Sequence, residues 1–298
     1  MENKIKKYIS LCFGILISML VLLSCDPPEP VEFKATPYQL QIPKYFPTNL
    51  NIPDDNPMTV EGVKLGRYLF YDGRLRGYLG TEPDSLMSCV TCHIQEHGFE
   101  CGLNHPRYTD GRPFGVNGKK THHSMLPLCN LVFNNNGYLW NGFIYKENPN
   151  VSRRNLENIV SMAIVAEDEM NTTIERAVNA IKKIDIYPPM FKAAFGTEEV
   201  TIDRIEKAIA QFIRTLISGN SKFDRYIRGE EQLTPDELAG FVLFTTEEGA
   251  DCFHCHGSDG NLLMTTNSFY NNALDSVFTD TQDRSSVTGN SFDVGTYR

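Results

Sequence analysis

Two short stretches carry residues whose type and spacing do chemistry. Cys89-Val90-Thr91-Cys92-His93 and Cys252-Phe253-His254-Cys255-His256 both read C-x-x-C-H. That is the pattern of covalent haem attachment. Two thiols at this spacing add to the two vinyl groups of one porphyrin, and the His that follows reaches the iron as proximal ligand. The other ring nitrogen of such a ligand ordinarily donates to a backbone carbonyl, which fixes the tautomer and the tilt of the ring. Two other chemistries use C-x-x-C. Zinc sites add a second pair about 12–20 residues away, whereas more than half of this chain separates the two pairs. Redox dithiols sit beside βαβ patterns, and none is visible here. The reading is therefore two c-type haems, each with its iron. Cys89, Cys92, Cys252 and Cys255 are the tethers, and His93 and His256 are the iron ligands.

The elements that must position these motifs are helical. A short amphipathic stretch begins near Thr59, with Val60, Val63, Leu65, Tyr68 and Leu69, and stops at Asp72-Gly73. The first motif follows. Asn155 to Val165 reads as a helix, and Thr172 or Thr173 caps another running to about Ile184. From Thr201 to Ser218 the residues Ile202, Ile205, Ala208, Ile209, Phe212, Ile213 and Leu216 form one apolar stripe, with Gly219 as the expected stop. Thr234-Pro235-Asp236-Glu237 is a capping box with proline at the first helical position. It opens a helix that should carry Leu238, Phe241, Val242 and Phe244 toward a core and end at Gly249. The second motif follows at once. The order apolar helix, glycine, C-x-x-C-H thus occurs twice, as expected of a duplicated module. Between Gly98 and Asn150 lies a long stretch of Gly, Asn, Pro and His without periodicity, suited to wrapping a cofactor. Little reads as alternating strand, so the expected class is mainly α.

Composition sets the setting. With 298 residues the chain is long enough for one large or two ordinary domains, and 41% hydrophobic residues can build a core. A net charge of -9 argues against a nucleic-acid backbone as partner. Lys4, Lys6 and Lys7 precede an apolar run from Ile9 to Leu23, shorter than the about 20 residues a membrane span needs. The run ends in Leu22-Leu23-Ser24-Cys25, which resembles a bacterial lipoprotein signal, with Cys25 as the lipid-bearing first residue of the mature chain. The alternative is an uncleaved N-terminal anchor. Either way the globular part is expected outside the cytoplasm: periplasmic and held at the membrane. Seven prolines between Asp26 and Asp55 indicate a tether and then a surface segment, or, from Tyr38 onward, irregular structure packed on the first domain. Cys101 and Cys129 are left over, and spacing leaves open whether they pair.

Several further stretches carry a resemblance. Leu65-Gly66-Arg67-Tyr68-Leu69-Phe70-Tyr71-Asp72, Ser88 through His93, Phe99, Leu139-Trp140-Asn141-Gly142, Glu169-Met170 and Ser221-Lys222-Phe223-Asp224-Arg225-Tyr226 stand in the order found in the bacterial di-haem cytochrome c peroxidases and their relatives that mature a tryptophylquinone cofactor. Over roughly residues 57–298 the chain resembles that family. The resemblance implies two cytochrome-c-like helical domains whose haems face across an interface. It implies a peroxidatic haem on His93 in a domain at 57–200, and an electron-transfer haem on His256 in a domain at 201–298, after a signal at 1–24 and a tether at 25–56. It implies Glu169 as acid–base residue above the peroxidatic haem, and Trp140 between the haems as an aid to electron transfer. Hydrogen peroxide as substrate, a small donor protein (cytochrome c or cupredoxin), a homodimer and bound calcium are implied in the same way, although the sequence shows no ligand set for calcium.

The chain departs from the family pattern in three places. The slot of a distal His falls near Gly115-Val116-Asn117, which holds none, so an open sixth position is expected; His97, His105, His122 and His123 are nearby in sequence. The family's Gln ten residues before the acid–base Glu is Ile159 here. The family pattern continues beyond Arg298 to the Met or Tyr that gives the second haem its sixth ligand, so the second domain is expected to be incomplete; Met264 lies too close to His256 for that role. The leading functional expectation is a peroxidase. The alternatives are an oxidase that uses peroxide to modify a protein side chain, and a non-enzymatic electron carrier.

Overall fold

The computed structural model describes Met1 and residues 33–78, 86–102, 108, 110–143, 155–257 and 262–297. The expected export signal, Cys25 and His105 lie outside the described residues. Helix α1, Val60–Tyr71, starts where Thr59 caps it: the Thr59 side chain accepts from Gly62 N at 3.0 Å. Its partner is α5, Ile202–Arg214, capped in the same way by Thr201. The two cross at Gly66, where a Cβ would lie 1.8 Å from the Ala208 carbonyl oxygen, so only glycine permits the approach. Around this pair pack α2, Glu157–Val165, and α4, Tyr187–Phe195; α3, Ile174–Lys182, adjoins both. Helix α4 was not among the expected helices, and it opens with Pro188 and Pro189. They occupy its first turn, where no amide donor is needed. The shared core contains Leu65, Leu69, Phe70, Leu156, Ile164, Ile181, Tyr187, Phe191, Ile205 and Ile209, all fully buried.

One polar network runs through this core. Arg214, with no exposed surface, pairs with Glu157 at 2.7 and 3.1 Å. Asn56 Nδ2 donates to the same carboxylate at 2.7 Å, and Gln211 Nε2 donates to Asn56 Oδ1 at 2.8 Å. The network ties the start of α2 and the end of α5 to the proline-rich entry segment. From Tyr38 that segment is packed: Tyr38 N bonds Met58 O, and Phe46 is buried in a second apolar cluster with Val132, Phe133 and Leu262.

The second half is more open. It holds α6, Lys222–Ile227; α7, Pro235–Thr245; α8, Phe253–His256; and α9, Ser285–Thr288. Both Ser221 and Thr234 form capping boxes. Three expectations are corrected here. Helix α5 stops at Arg214 rather than at Gly219, because Asn130 captures the next residues: Asn130 N bonds Leu216 O, and Ser218 N bonds Asn130 Oδ1 at 2.9 Å. Helix α7 stops at Thr245 rather than at Gly249, where the Thr245 and Thr246 hydroxyls turn back onto the Phe241 and Val242 carbonyls. No residue of α7 reaches a core: Leu238, Val242 and Leu243 stay about half exposed, and Phe241 meets only a ring cluster with Phe223 and Tyr226. Helix α5 packs in the core built on α1. Among the described residues, only isolated bridges pair extended backbone. The molecule is mainly α, as expected, and no described helix is long and apolar enough to cross a membrane.

Candidate active site

The first motif sits on a single helical turn after α1. Ser88 and Thr91 form a reciprocal cap, and Cys89–Thr91 make a 3₁₀ turn that brings His93 N back to Cys89 O at 2.9 Å. His93 Nδ1 lies 2.7 Å from the Phe99 carbonyl. A carbonyl only accepts, so the proton is on Nδ1 and the Nε2 lone pair is free for iron. Burial holds the imidazole neutral, its pKa lowered to about 4, against the opposing pull of that hydrogen bond. The same burial, helped by the nearby Glu169 carboxylate, pushes the Cys89 thiol up to about 12. Cys92 is buried beside the Tyr108 hydroxyl.

His93 lines a cavity of about 650 Å³, within the roughly 300–1,000 Å³ typical of cofactor pockets. Glu169, Asp168, Trp140, Ile159, Met162, His122 and His123 also line it. A larger open cleft of about 1030 Å³ beside Arg67, Tyr71 and Phe212 contains no motif residue. Two thiols at this spacing, a neutral imidazole whose Nδ1 is turned to the Phe99 carbonyl, and an apolar cavity beside them fit a covalently held haem.

Glu169 is fixed through its backbone. Its amide bonds Ala166 O at 3.1 Å, and its carbonyl accepts from Val116 N at 3.0 Å. Arg76 Nε donates to the Met170 carbonyl at 2.9 Å, and Met170 itself is in the core. Gly115 allows the facing loop to approach: a Cβ there would lie 2.5 Å from the Asp168 carbonyl carbon. The acidic run therefore divides. Glu167 pairs with the exposed Lys119 at 2.6 Å, while Asp168 and Glu169 face the cavity. Burial first, and then repulsion by Asp168, raises the Glu169 pKa to about 7. Nothing in the sequence signalled Arg76 as the anchor of this pair, because its partner is a backbone carbonyl far away in the chain.

Trp140 is half-buried, and its Nε1 donates to Ser124 O at 2.7 Å. Its turn docks on the C-terminal segment, where Asn141 Nδ2 donates to Gln282 O and Arg284 Nη1 donates to Asn141 O. Ile159, at the position of the family's Gln, is part of the cavity wall. His97 points away, to Cys101 O at 3.1 Å, and the ring nitrogens of His122 and His123 turn toward Asp280. Cys101 and Cys129 are both free thiols, bonded to the carbonyls of Gly111 and Gly98.

The second motif repeats the local logic with less cover. His256 N returns to Cys252 O at 3.0 Å, and His256 Nδ1 faces the Met264 carbonyl at 3.3 Å. Met264 therefore meets the His256 ring through its backbone. Phe244 of α7 stands 6.1 Å from the His256 ring.

The profile of the di-haem cytochrome c peroxidases matches residues 60–232. The chain is 33% identical to the methylamine utilization protein MauG of Methylorubrum extorquens over 71% of its own length and 54% of the relative's. It is 30% identical to the cytochrome c551 peroxidase of Nitrosomonas europaea over 67% of its own length and 52% of the relative's. It thus spans about half the length of these relatives. A crystal structure of a MauG-like protein associated with microbial copper homeostasis superposes with a TM-score of 0.72 at 27% identity, over 88% of this chain and 74% of that one. Two c-type haems with their irons are the cofactors that such a match implies, and two attachment motifs, each with its imidazole turned to a backbone carbonyl, are what this sequence provides; the chain belongs to the di-haem cytochrome c peroxidase family.

Proposed function

We propose that this chain is the haem-bearing part of an exported peroxidase that reduces hydrogen peroxide to water with electrons from a small donor protein, a cytochrome c or a cupredoxin. The main support is one juxtaposition: the Glu169 carboxyl and the ligand His93 share one cavity, and burial raises that carboxyl toward neutrality. The haem held by Cys89, Cys92 and His93 supplies the iron at which the O–O bond is reduced. Glu169 takes the proton from one peroxide oxygen and returns it to the other, which leaves as water. Each peroxide takes up two electrons and two protons and yields two waters. The loop at Gly115–Asn117 carries no His, so it would supply no imidazole to a haem iron held by His93. Trp140, on the cavity wall, is assigned the electron path from a second haem held by Cys252, Cys255 and His256. The half-exposed apolar face of α7 is assigned to that haem's cover. The first haem domain is placed at about 57–214, because α5 shares its core, and the second follows. Periplasmic placement with a lipid on Cys25, and a homodimer, complete the proposal.

An oxidase that uses peroxide to modify a protein side chain is the second reading. Likeness to MauG and the His-free loop favour it. A Tyr rather than a Met as the sixth ligand of the second haem distinguishes the oxidase.

The test is steady-state peroxide reduction by the haem-loaded protein and by Glu169→Gln. A base with a pKa near 7 makes kcat/KM rise about tenfold per pH unit below 7 and level off above it. Glu169→Gln is expected to lose about 10²–10⁴-fold and this limb with it. If Glu169→Gln keeps the limb, or its activity falls less than about tenfold, Glu169 is not the base. If both haems are low-spin and indifferent to peroxide even after partial reduction, the protein is an electron carrier.

A further inference from the structure

Outside the haem motifs, one cluster of ligand-type side chains stands out. His122 Nε2 lies 2.8 Å from Asp280 Oδ1, and His123 Nε2 lies 3.3 Å from Asp280 Oδ2. Within this trio, one nitrogen from each His and one carboxylate oxygen all lie within 4.8 Å of one another. Ligands of tetrahedral zinc at about 2.0–2.2 Å from the metal are about 3.3–3.6 Å apart, so small movements of the side chains close the set.

Two further observations point to a ligand. His123 Nε2 is a buried atom that makes no hydrogen bond. Native proteins rarely leave such an atom unpaired, and a bound ion is one of the standard reasons. The carboxylate is also held in place from behind, as supporting groups hold a ligand. Tyr297 donates to Asp280 Oδ2 at 2.5 Å, and Gln282 N donates to Oδ1 at 2.8 Å. Packing fixes the His123 ring as well, with Tyr297 at 5.6 Å and Trp140 at 6.1 Å.

From this arrangement we infer that His122, His123 and Asp280 bind one divalent transition-metal ion of the zinc class. Two imidazole nitrogens and one carboxylate suit such an ion. They do not suit calcium, which takes six to eight oxygens. The ion joins two distant parts of the chain, the cavity wall at His122–Ser124 and the C-terminal segment at Asp280–Tyr297. Ser124 O holds the Trp140 indole, so the ion also fixes that ring.

The test uses the haem-loaded full chain, whose motif cysteines are occupied, after treatment with a chelator. Calorimetric titration with zinc chloride is expected to show one ion per chain, and the same titration with calcium chloride no binding at that site. Zinc-edge X-ray absorption should show imidazole and oxygen neighbours without sulfur. Asp280→Asn and His123→Gln should each weaken zinc by at least about tenfold. His254→Gln, which alters the separate exposed pair with Asp251, should leave binding as it was. The inference is overturned if no stoichiometric zinc binds, if sulfur appears in the zinc shell, if calcium competes at the site, or if both site variants keep the parent affinity.

Discussion

Replacing Glu157 by Ala tests how the core positions the cavity. The Glu157 carboxylate accepts two hydrogen bonds from Arg214 and one from Asn56. Without it, Arg214 keeps only Nε to Asn51 O at 2.6 Å and a long contact from Nη2 to Asn155 Oδ1 at 3.4 Å. A guanidinium with no exposed surface is then uncompensated, and Asn56 Nδ2 keeps only Lys207 O at 3.1 Å. Removing one partner of a buried pair costs about 3–5 kcal/mol. Replacing both with apolar groups of similar size is far milder, since it removes two desolvated charges together. Glu157→Ala should therefore destabilise by about 3–5 kcal/mol, and the double variant Glu157→Leu with Arg214→Met by clearly less than Glu157→Ala alone. Urea unfolding of the haem-loaded proteins, followed by far-UV circular dichroism, measures both, with equal m-values as the check on two-state behaviour. A loss below about 1 kcal/mol for Glu157→Ala would refute the claim that Arg214 depends on this partner. A double variant as unstable as the sum of the two singles would refute the claim that the charges act as a pair. Glu157 begins the helix that leads to Glu169, so the single variant should also weaken peroxide turnover.

Further outcomes follow from the same geometry. The Glu169 pKa, raised by burial and then by Asp168, means that the folded chain holds a proton that the unfolded chain has lost between about pH 4.5 and 7. Stability should fall as pH rises through this window, by up to about 3 kcal/mol, and Glu169→Gln should flatten that part of a stability–pH curve. Gly66→Ala should cost at least about 1–3 kcal/mol in chemical unfolding, because its methyl meets the Ala208 backbone at 1.8 Å. His93→Gly should remove the proximal ligand of one haem only; the visible and EPR spectra should keep the His256 signal, and added imidazole should restore the lost one. Thr234→Ala should cost about 1 kcal/mol through loss of the cap on α7, without changing the spectrum of the first haem.

The division between sequence and structure follows the range of the forces involved. The haem motifs, the helix starts near Thr59 and Thr201, a cap at Thr172 or Thr173, the capping box at Thr234 and the apolar stripe of α5 were legible because each depends on neighbours a few residues away. The mainly helical class and the family followed from the same local patterns, and both hold. Helix ends were less legible: Gly219 and Gly249 looked like stops, but Asn130 in one case and two threonine hydroxyls in the other ended the helices earlier. Helix α4 was not read from the sequence; its Pro188 and Pro189 are tolerated because they fall in the first turn, where no amide donor is needed. Only the tertiary structure decided which acid of Glu167-Asp168-Glu169 meets solvent and which face the cavity, since that depends on Val116, Gly115 and Arg76 holding the turn from distant parts of the chain. The same holds for the meeting of His122 and His123 with Asp280: adjacent histidines and a far aspartate have no common pattern in sequence, and only packing brings the three together.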